Sequence, residues 1–193
     1  MDRFSTDIEV IDNLVDEDYC YYIIDKLYYA KDVWNIAYDE NTISKNYTWN
    51  KVSNKSDTGF LFLSYSKDAT DEKNKKYAWL TSLVDYIYFR YLQSSKYEYK
   101  NPELHRVLFN YYNTGSDGID HTDATDPNVR SVTINLNTND GGTLVENEFV
   151  PSQVGRGVAF NSNIRHRGVG PTEVKQRFAV NVVFTYDDVR LKT

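Results

Sequence analysis

Cysteine is almost absent from this chain, which has one, Cys20, in 193 residues. A single cysteine excludes an intramolecular disulfide framework and a cysteine-rich metal centre. Histidine is also scarce, with three residues, so a metal would have to be held by histidine together with carboxylates. The net charge of -6 and the lack of a basic stripe argue against nucleic acid as a partner, because little would neutralise its phosphates.

Long apolar runs are missing as well. No segment is long enough to span a bilayer, and the opening MDRFSTDIEV lacks the apolar core of a secretion signal. We therefore predict a cytoplasmic protein with no membrane partner. The chain is 40% hydrophobic and 26% charged, which is typical of a globular protein that can bury a core. Its length favours one domain, residues 1–193.

The first hundred residues predict two helices and two strands. Residues 8–11 (IEVI) and 59–65 (GFLFLSY) are short apolar runs typical of strands, and residues 40–58 are polar and loop-like. The helices are predicted over residues from 18 onward and over 71–93, where acidic residues come first. Their apolar faces repeat at spacings of three and four and consist of Cys20, Ile23, Ile24 and Leu27, and of Leu80, Leu83, Val84 and Ile87.

From residue 101 onward the sequence predicts β structure. Short runs rich in Val, Ile, Phe and Tyr are separated by Gly, Asn, Asp and Pro, as in an antiparallel sandwich or barrel. In the run 177–184 (RFAVNVVF), Phe178, Val180, Val182 and Phe184 share one face, and Arg177, Ala179, Asn181 and Val183 share the other. We predict an α+β, mainly β fold. Two helices, within a supporting segment 1–100, pack on a jelly roll of about eight strands in residues 101–193.

A candidate metal site begins at His121 in the loop GSDGIDHTDATD. His121 and Asp123 alone form a common pattern that also fits a solvated loop. His166 follows the strand-like GVAF as His121 follows the strand-like VLFNYY, and a jelly roll can bring two such positions to one open end. Two imidazoles and one carboxylate suit Fe(II) and leave coordination positions open. The third histidine, His105, fits no ligand position, and we interpret it as structural or surface.

Arg177 would begin a strand whose polar face lines the barrel. A buried arginine requires an anion, and its planar guanidinium suits a carboxylate. An exposed strand end is the alternative. The run 131–137 has a similar polar face, made of Thr133, Asn135 and Asn137, which either donates to the same anion or faces solvent.

Together these motifs resemble the 2-oxoglutarate- and Fe(II)-dependent oxygenases, and in particular their prolyl-4-hydroxylase-like branch. The resemblance rests on HTD at 121–123, GG at 141–142, HRG at 166–168, Arg177 and the opening IEVIDNLVDEDYCYYIIDKL. It extends over essentially the whole chain and implies a double-stranded β-helix. Residue usage rich in Asn, Lys, Asp and Tyr is typical of an AT-rich genome, such as a bacteriophage's.

The resemblance also assigns catalytic roles. It implies that His121, Asp123 and His166 ligate iron and that Arg177 binds the distal carboxylate of 2-oxoglutarate. Tyr112 is implied as a second co-substrate contact. Asn135 is a third, although the alignment there could slip to Thr133 or Asn137.

The implied activity is hydroxylation of a C–H bond with Fe(II), 2-oxoglutarate and O2, and ascorbate is a further cofactor to consider. The branch favours a peptidyl or protein proline as substrate, with residues 40–58 and the loop 122–128 as candidate covers. A small-molecule oxygenase acting on a free amino acid is the alternative, followed by a non-catalytic jelly-roll binding module. No oligomeric state is predicted.

Overall fold

The structure, a computed structural model, describes residues 7–29, 60–67, 70–76, 78–174 and 176–193. The helices in these ranges are α1 (Glu17–Tyr29), α2 (Asp71–Lys76) and α3 (Ala78–Ser94). The first two strands are β1 (Glu9–Ile11) and β2 (Phe60–Ser66). Both predicted strands are thus confirmed to within one residue at each end, and the first predicted helix begins within one residue of its expected start. The helix predicted over 71–93 corresponds to α2 and α3, with Tyr77 outside the described residues. The predicted loop 40–58 also lies outside them.

The rest of the described chain is mostly β structure. Its strands are β3 (Tyr97–Lys100), β4 (Glu103–Asn113), β5 (Val129–Asn135), β6 (Gly142–Val145), β7 (Glu148–Pro151), β8 (Gly157–Asn161), β9 (His166–Val169), β10 (Gln176–Thr185) and β11 (Asp188–Leu191). The four-residue strands β3, β7, β9 and β11 differ from the prediction, because four residues are too short a run to distinguish a strand by periodicity.

Two antiparallel sheets form the barrel. The larger has six strands in the order β1-β8-β5-β10-β4-β2, and the smaller has three in the order β7-β6-β9. Their inner faces meet, since Val145 and Val150 of the small sheet pack against Val158 and Phe160 of β8. This is a double-stranded β-helix, so the predicted fold class is confirmed. The edge strands β1 and β2 come from the N-terminal half, and the single-domain division stays a prediction.

The outer face of the large sheet packs against the helices. Phe178, Val180, Val182 and Phe184 of β10 lie in one apolar core with residues of α1 and α3 such as Ile23 and Ile87, as the alternation predicts. Each side chain of this kind contributes about 1.5–3 kcal/mol when fully buried. No helix among the described residues is long and apolar enough to cross a membrane.

The inner face of β10 places the polar residues. Arg177 pairs with Tyr112 on β4, and Asn181 pairs with Leu108 on β4 and Thr133 on β5. Val183 pairs with Arg106 and with Ser131. Tyr112 therefore lies beside Arg177 at one end of this face, and Arg106 and Ser131 lie beyond Asn181 at the other end.

Candidate active site

Three potential metal ligands converge at the end of the barrel beyond Asn181. One ligand atom each from His121, Asp123 and His166 lies within 4.8 Å of the others, and among the described residues they form the one such group of His, Cys, Asp or Glu. His121 Nε2 is 3.7 Å from Asp123 Oδ1, and His166 Nε2 is 3.4 Å from Asp123 Oδ2. We call these residues the metal trio. His105 is not part of it, and its backbone oxygen accepts a hydrogen bond from Lys67.

Backbone pairing brings the two histidines together. The amide of His121 donates to the carbonyl of His166 at 3.0 Å, and the amide of His166 donates back at 2.9 Å. Each imidazole Nδ1 lies near the carbonyl two residues earlier, at 2.8 Å from Ile119 and 2.9 Å from Ile164. A carbonyl only accepts, so Nδ1 carries the proton in each ring and Nε2 keeps a lone pair for a metal.

Asp123 is held by several donors. Its carboxylate pairs with Arg106 of β4, accepts from Ser131 Oγ at 2.6 Å and accepts from Asn181 Nδ2 at 3.1 Å. Burial alone would raise the pKa of this carboxyl, but its contacts with His121 and His166 and the charge of Arg106 hold its pKa well below the usual value. Asp123 is therefore an anion in a fixed orientation, as a metal ligand must be.

Solvent reaches the metal trio from one side. The side chain of His121 is 48% exposed, whereas those of Asp123 and His166 are 1% and 5% exposed. A ligand would therefore reach the metal trio from the exposed side, next to His121. The residues fit a divalent transition metal because two neutral imidazoles and one carboxylate are donors that Fe(II) accepts, with further positions left open.

Arg177 is buried at the other end of the inner face. Its Nε donates to Ser152 Oγ at 3.0 Å, and its Nη2 donates to Asn135 Oδ1 at 3.1 Å and to Thr143 Oγ1 at 3.0 Å. Nη1 makes a long contact of 3.5 Å with the carbonyl of Val169, and the guanidinium also contacts the Tyr112 hydroxyl. Within the described residues no carboxylate lies at ion-pair distance from Arg177. Burial lowers the pKa of this guanidinium.

Tyr112 covers one face of the Arg177 guanidinium, whose Cζ is 4.9 Å from the ring centroid. Its hydroxyl lies directly over Gly168, where an added Cβ would come within 2.1 Å of the oxygen and 2.8 Å of Arg177 Nη1. Glycine is required at this position because any side chain would displace both residues. Burial raises the pKa of Tyr112, so the hydroxyl keeps its proton and can donate to an anion.

The predicted residues thus fall into two connected groups. His121, Asp123 and His166 form the metal trio, and Tyr112 and Asn135 lie against Arg177. Of the alternatives for strand 131–137, Asn135 contacts Arg177, whereas Asn137 binds the backbone of Gln176 and Phe178. Thr133 lies opposite Asn181.

Sequence reasoning missed several contacts, namely Arg106, Ser131, Thr143 and Ser152. Strand alternation could have found Arg106 and Ser131, because Arg106 shares a face with Tyr112 and Ser131 with Asn135. Ser152 lies in an irregular segment and carries no comparable signal.

Solved structures confirm the resemblance at the level of the fold. A viral collagen prolyl hydroxylase from Paramecium Bursaria Chlorella virus-1, in complex with 2-oxoglutarate, matches with a TM-score of 0.59 and 12% identity over 94% of this chain and 96% of that chain. A Trichoplax adhaerens prolyl hydroxylase bound to a hypoxia inducible factor peptide fragment matches with a TM-score of 0.57 and 17% identity, over 94% and 84%. The carbocyclase SnoK from nogalamycin biosynthesis, a non-heme alpha-ketoglutarate-dependent enzyme, matches with a TM-score of 0.59 and 13% identity, over 97% and 83%.

These similarities establish the fold that this chain shares with 2-oxoglutarate oxygenases. No protein-family model matches the sequence, and no curated protein matches it either.

Proposed function

We propose that this protein is an Fe(II)- and 2-oxoglutarate-dependent dioxygenase that hydroxylates a C–H bond. The observation that carries the proposal is the pairing, inside one barrel, of the metal trio with Arg177, a buried cation whose hydrogen-bond partners are all neutral. A buried arginine without a counter-ion is unfavourable unless an anion binds it. A cofactor that chelates a metal at one end and carries a carboxylate at the other would bind both the metal trio and Arg177.

The chain's own residues bind and orient the reactants. His121, His166 and Asp123 would hold Fe(II), and Arg177, Asn135 and Tyr112 would receive the distal carboxylate of 2-oxoglutarate. Arg177 and Asn181 are four residues apart on β10, or about 13 Å in an extended strand, which leaves room for a small dicarboxylate between Arg177 and the metal trio. Ser131 and Arg106 keep Asp123 ionised and oriented.

The bound metal, with 2-oxoglutarate and O2, supplies the oxidation, in which one oxygen atom enters the substrate as a hydroxyl and the other enters succinate while CO2 is released. The protein excludes water from the Arg177 end and leaves the His121 side open for the substrate. Ascorbate would act as an external reductant and requires no site of its own.

For the substrate we propose a proline in a peptide or protein. Prolyl hydroxylases recur among proteins of the same fold, one of them with a peptide bound, and the exposed side of His121 suits the approach of a chain. A small-molecule substrate such as a free amino acid is the second candidate, because the same fold serves the carbocyclase SnoK.

The first test is anaerobic addition of Fe(II) and 2-oxoglutarate to the metal-free protein, with detection of the visible charge-transfer band of the chelate. We expect a band in the wild type, none in His166→Ala, and a band only at much higher 2-oxoglutarate concentration in Arg177→Leu. Arg190→Leu, at an exposed arginine of β11, is the matched control and should resemble the wild type. A folded wild-type protein without a band would favour the binding-module alternative.

The second test identifies the substrate class. Succinate formation is measured with proline-containing peptides and with free L-proline, each against the background without substrate. Stimulation by peptides alone supports the peptidyl assignment, and stimulation by the free amino acid alone overturns it.

A further inference from the structure

The carboxamide of Asn181 leaves one buried oxygen without a partner. Its Nδ2 donates to Asp123 Oδ2 at 3.1 Å, and the residue is 5% exposed. Within the part of the chain that the structure describes, its Oδ1 has no hydrogen-bond partner. Such an acceptor costs about 1–3 kcal/mol when buried, and most buried polar atoms in proteins avoid this cost. Stability therefore does not explain why an asparagine occupies position 181.

The orientation of the carboxamide follows from its contact with Asp123. Rotating the amide by half a turn would bring Oδ1 against the carboxylate, and two acceptors repel. Nδ2 must face Asp123, so Oδ1 lies beside the metal trio and points away from its carboxylate. Ala179 and Val183, the inner-face residues on either side of Asn181 in β10, are apolar. An unpaired amide oxygen between them costs more free energy than the side chain of an alanine or valine would.

We propose that Asn181 Oδ1 accepts a hydrogen bond from an N–H group of the primary substrate. The proposal rests on the proposed function, because it places the substrate beside the metal trio. A free amino acid would offer its ammonium group, and a peptide would offer a backbone amide next to the reacting residue. A substrate without the donor would leave the oxygen buried and unpaired, and sites of this kind discriminate strongly against analogues that lack the donor.

The experiment uses the full chain loaded with Zn(II) and 2-oxoglutarate, which forms a diamagnetic and unreactive complex. The side-chain carbonyl of Asn181 is followed by 13C NMR after asparagine labelling, and its resonance is assigned by its loss in Asn181→Leu. Two probe pairs differ only in the donor. The first is L-proline and its N,N-dimethyl derivative, and the second is acetyl-Pro-Gly-dimethylamide and the analogue with sarcosine in place of glycine.

In the wild type we expect one N–H probe to shift the Asn181 carbonyl resonance and to bind at least about tenfold more tightly than its methylated partner. In Asn181→Leu the two members of that pair should bind within about twofold of each other. The ratio of the two dissociation constants within a probe pair is the informative quantity, because loss of the hydrogen bond from Asn181 to Asp123 would weaken the binding of both probes equally. Thr133→Val, opposite Asn181 on β5, is the control and should keep the wild-type ratio. The pair that responds identifies a free amino acid or a peptide as the source of the donor.

Three results would overturn the proposal. The first is that no probe shifts the Asn181 resonance, and the second is that the methylated probes shift it as much as the N–H probes do. The third is that Zn(II) alone produces the full shift, which would assign the Asn181 oxygen as a partner of the metal's own ligands. If Zn(II) and 2-oxoglutarate bind but Asn181 does not respond, this inference fails while the proposed function stands. If neither Zn(II) nor 2-oxoglutarate binds, both fail.

Discussion

Arg130 and Arg177 are two buried arginines on adjacent strands of the large sheet, 2% and 1% exposed. Arg130 faces the helices. Its donors reach Tyr91 Oη, Asn161 Oδ1 and the carbonyls of Asp7 and Ala159 at 3.2–3.3 Å, and Glu9 lies at 3.9 Å. Arg177 faces the barrel interior and contacts only neutral groups.

The pKa values of the two guanidinium groups move in opposite directions. Burial lowers both, but for Arg130 the neighbouring tyrosines Tyr91 and Tyr99 and the charge of Glu9 outweigh burial, so its pKa rises. For Arg177 burial outweighs the opposing influence of Tyr112 and of the Asp117 charge, and its pKa falls. The comparison shows that burial alone does not mark a functional arginine. A buried arginine with a carboxylate at ion-pair distance supports the fold, and one without such a carboxylate is a candidate to bind an anion.

The largest expected effect is on co-substrate affinity. Arg177→Met should weaken 2-oxoglutarate binding by about 2–5 kcal/mol, the range for truncating one partner of a buried charge pair, or roughly 30-fold or more. Mn(II) affinity and the stability of the metal-free protein should change little, because no carboxylate of the described residues is left unpaired. Calorimetric titration measures both affinities. An equal loss of metal and 2-oxoglutarate binding would contradict the separation of the two groups.

Arg130→Met should have the opposite pattern. Removal of Arg130 leaves the buried Glu9 without its cationic partner, although Tyr91, Ser95 and the Lys96 amide still donate to it. We expect a loss of about 3 kcal/mol in the free energy of unfolding, measured by urea denaturation. The folded fraction should bind 2-oxoglutarate as the wild type does. Arg190→Met is the control, with an effect within about 0.5 kcal/mol. The double variant Arg130→Met/Glu9→Leu should recover much of the loss, and a purely additive result would remove Glu9 from the explanation.

Ligand-induced stabilisation sharpens the same comparison. With saturating Mn(II), 2-oxoglutarate at 100 times its dissociation constant should stabilise the wild type by about 2.7 kcal/mol. Arg130→Met should show the full increment above its lower baseline, and Arg177→Met should show almost none at the same concentration. Thermal unfolding with and without 2-oxoglutarate measures this. Equal increments in both variants would mean that Arg177 is not the anion receptor.

Of these variants, Gly168→Ala should have the smallest effect on 2-oxoglutarate affinity through Arg177. The added methyl group displaces the Tyr112 hydroxyl and Arg177 Nη1, and overpacking of this kind costs about 1–3 kcal/mol. We expect 2-oxoglutarate affinity to fall by roughly tenfold, with Mn(II) affinity retained, in the same titrations. Gly115→Ala is a useful contrast, because nothing lies within 4 Å of its added Cβ although its φ of +75° strains the loop. Wild-type affinity in Gly168→Ala would show that the pocket is looser than its contacts imply.

Much of the fold could be predicted because its signals are local. The apolar faces of α1 and α3 and the two-faced alternation of β10 are properties of consecutive residues, and the structure buries the predicted faces. The four-residue strands β9 and β11 could not be predicted, since their pairing partners determine them. His166 lies at the start of β9, so its exact partner, His121, became visible only through the backbone bonds between them.

The candidate site divides in a similar way. The positions of His121, Asp123, His166 and Arg177 could be inferred from motif order, and Tyr112 from its place in the strand before the loop. The contacts of Asp123 with Arg106 and Asn181 depend on cross-strand register, which the sequence does not state directly. A shift by one residue would reverse every inner and outer side chain.

By itself, the sequence determined the apolar faces of the helices, the two faces of β10 and which side chains have the chemistry of metal ligands, because periodicity and side-chain chemistry are carried by each segment alone. Only the tertiary structure decided which buried charges are balanced. Arg130 and Arg177 have the same side chain at similar places in their strands, yet Glu9 lies 3.9 Å from Arg130, whereas no carboxylate of the described residues lies at ion-pair distance from Arg177. That difference arises because electrostatic compensation depends on distances between segments far apart in the chain.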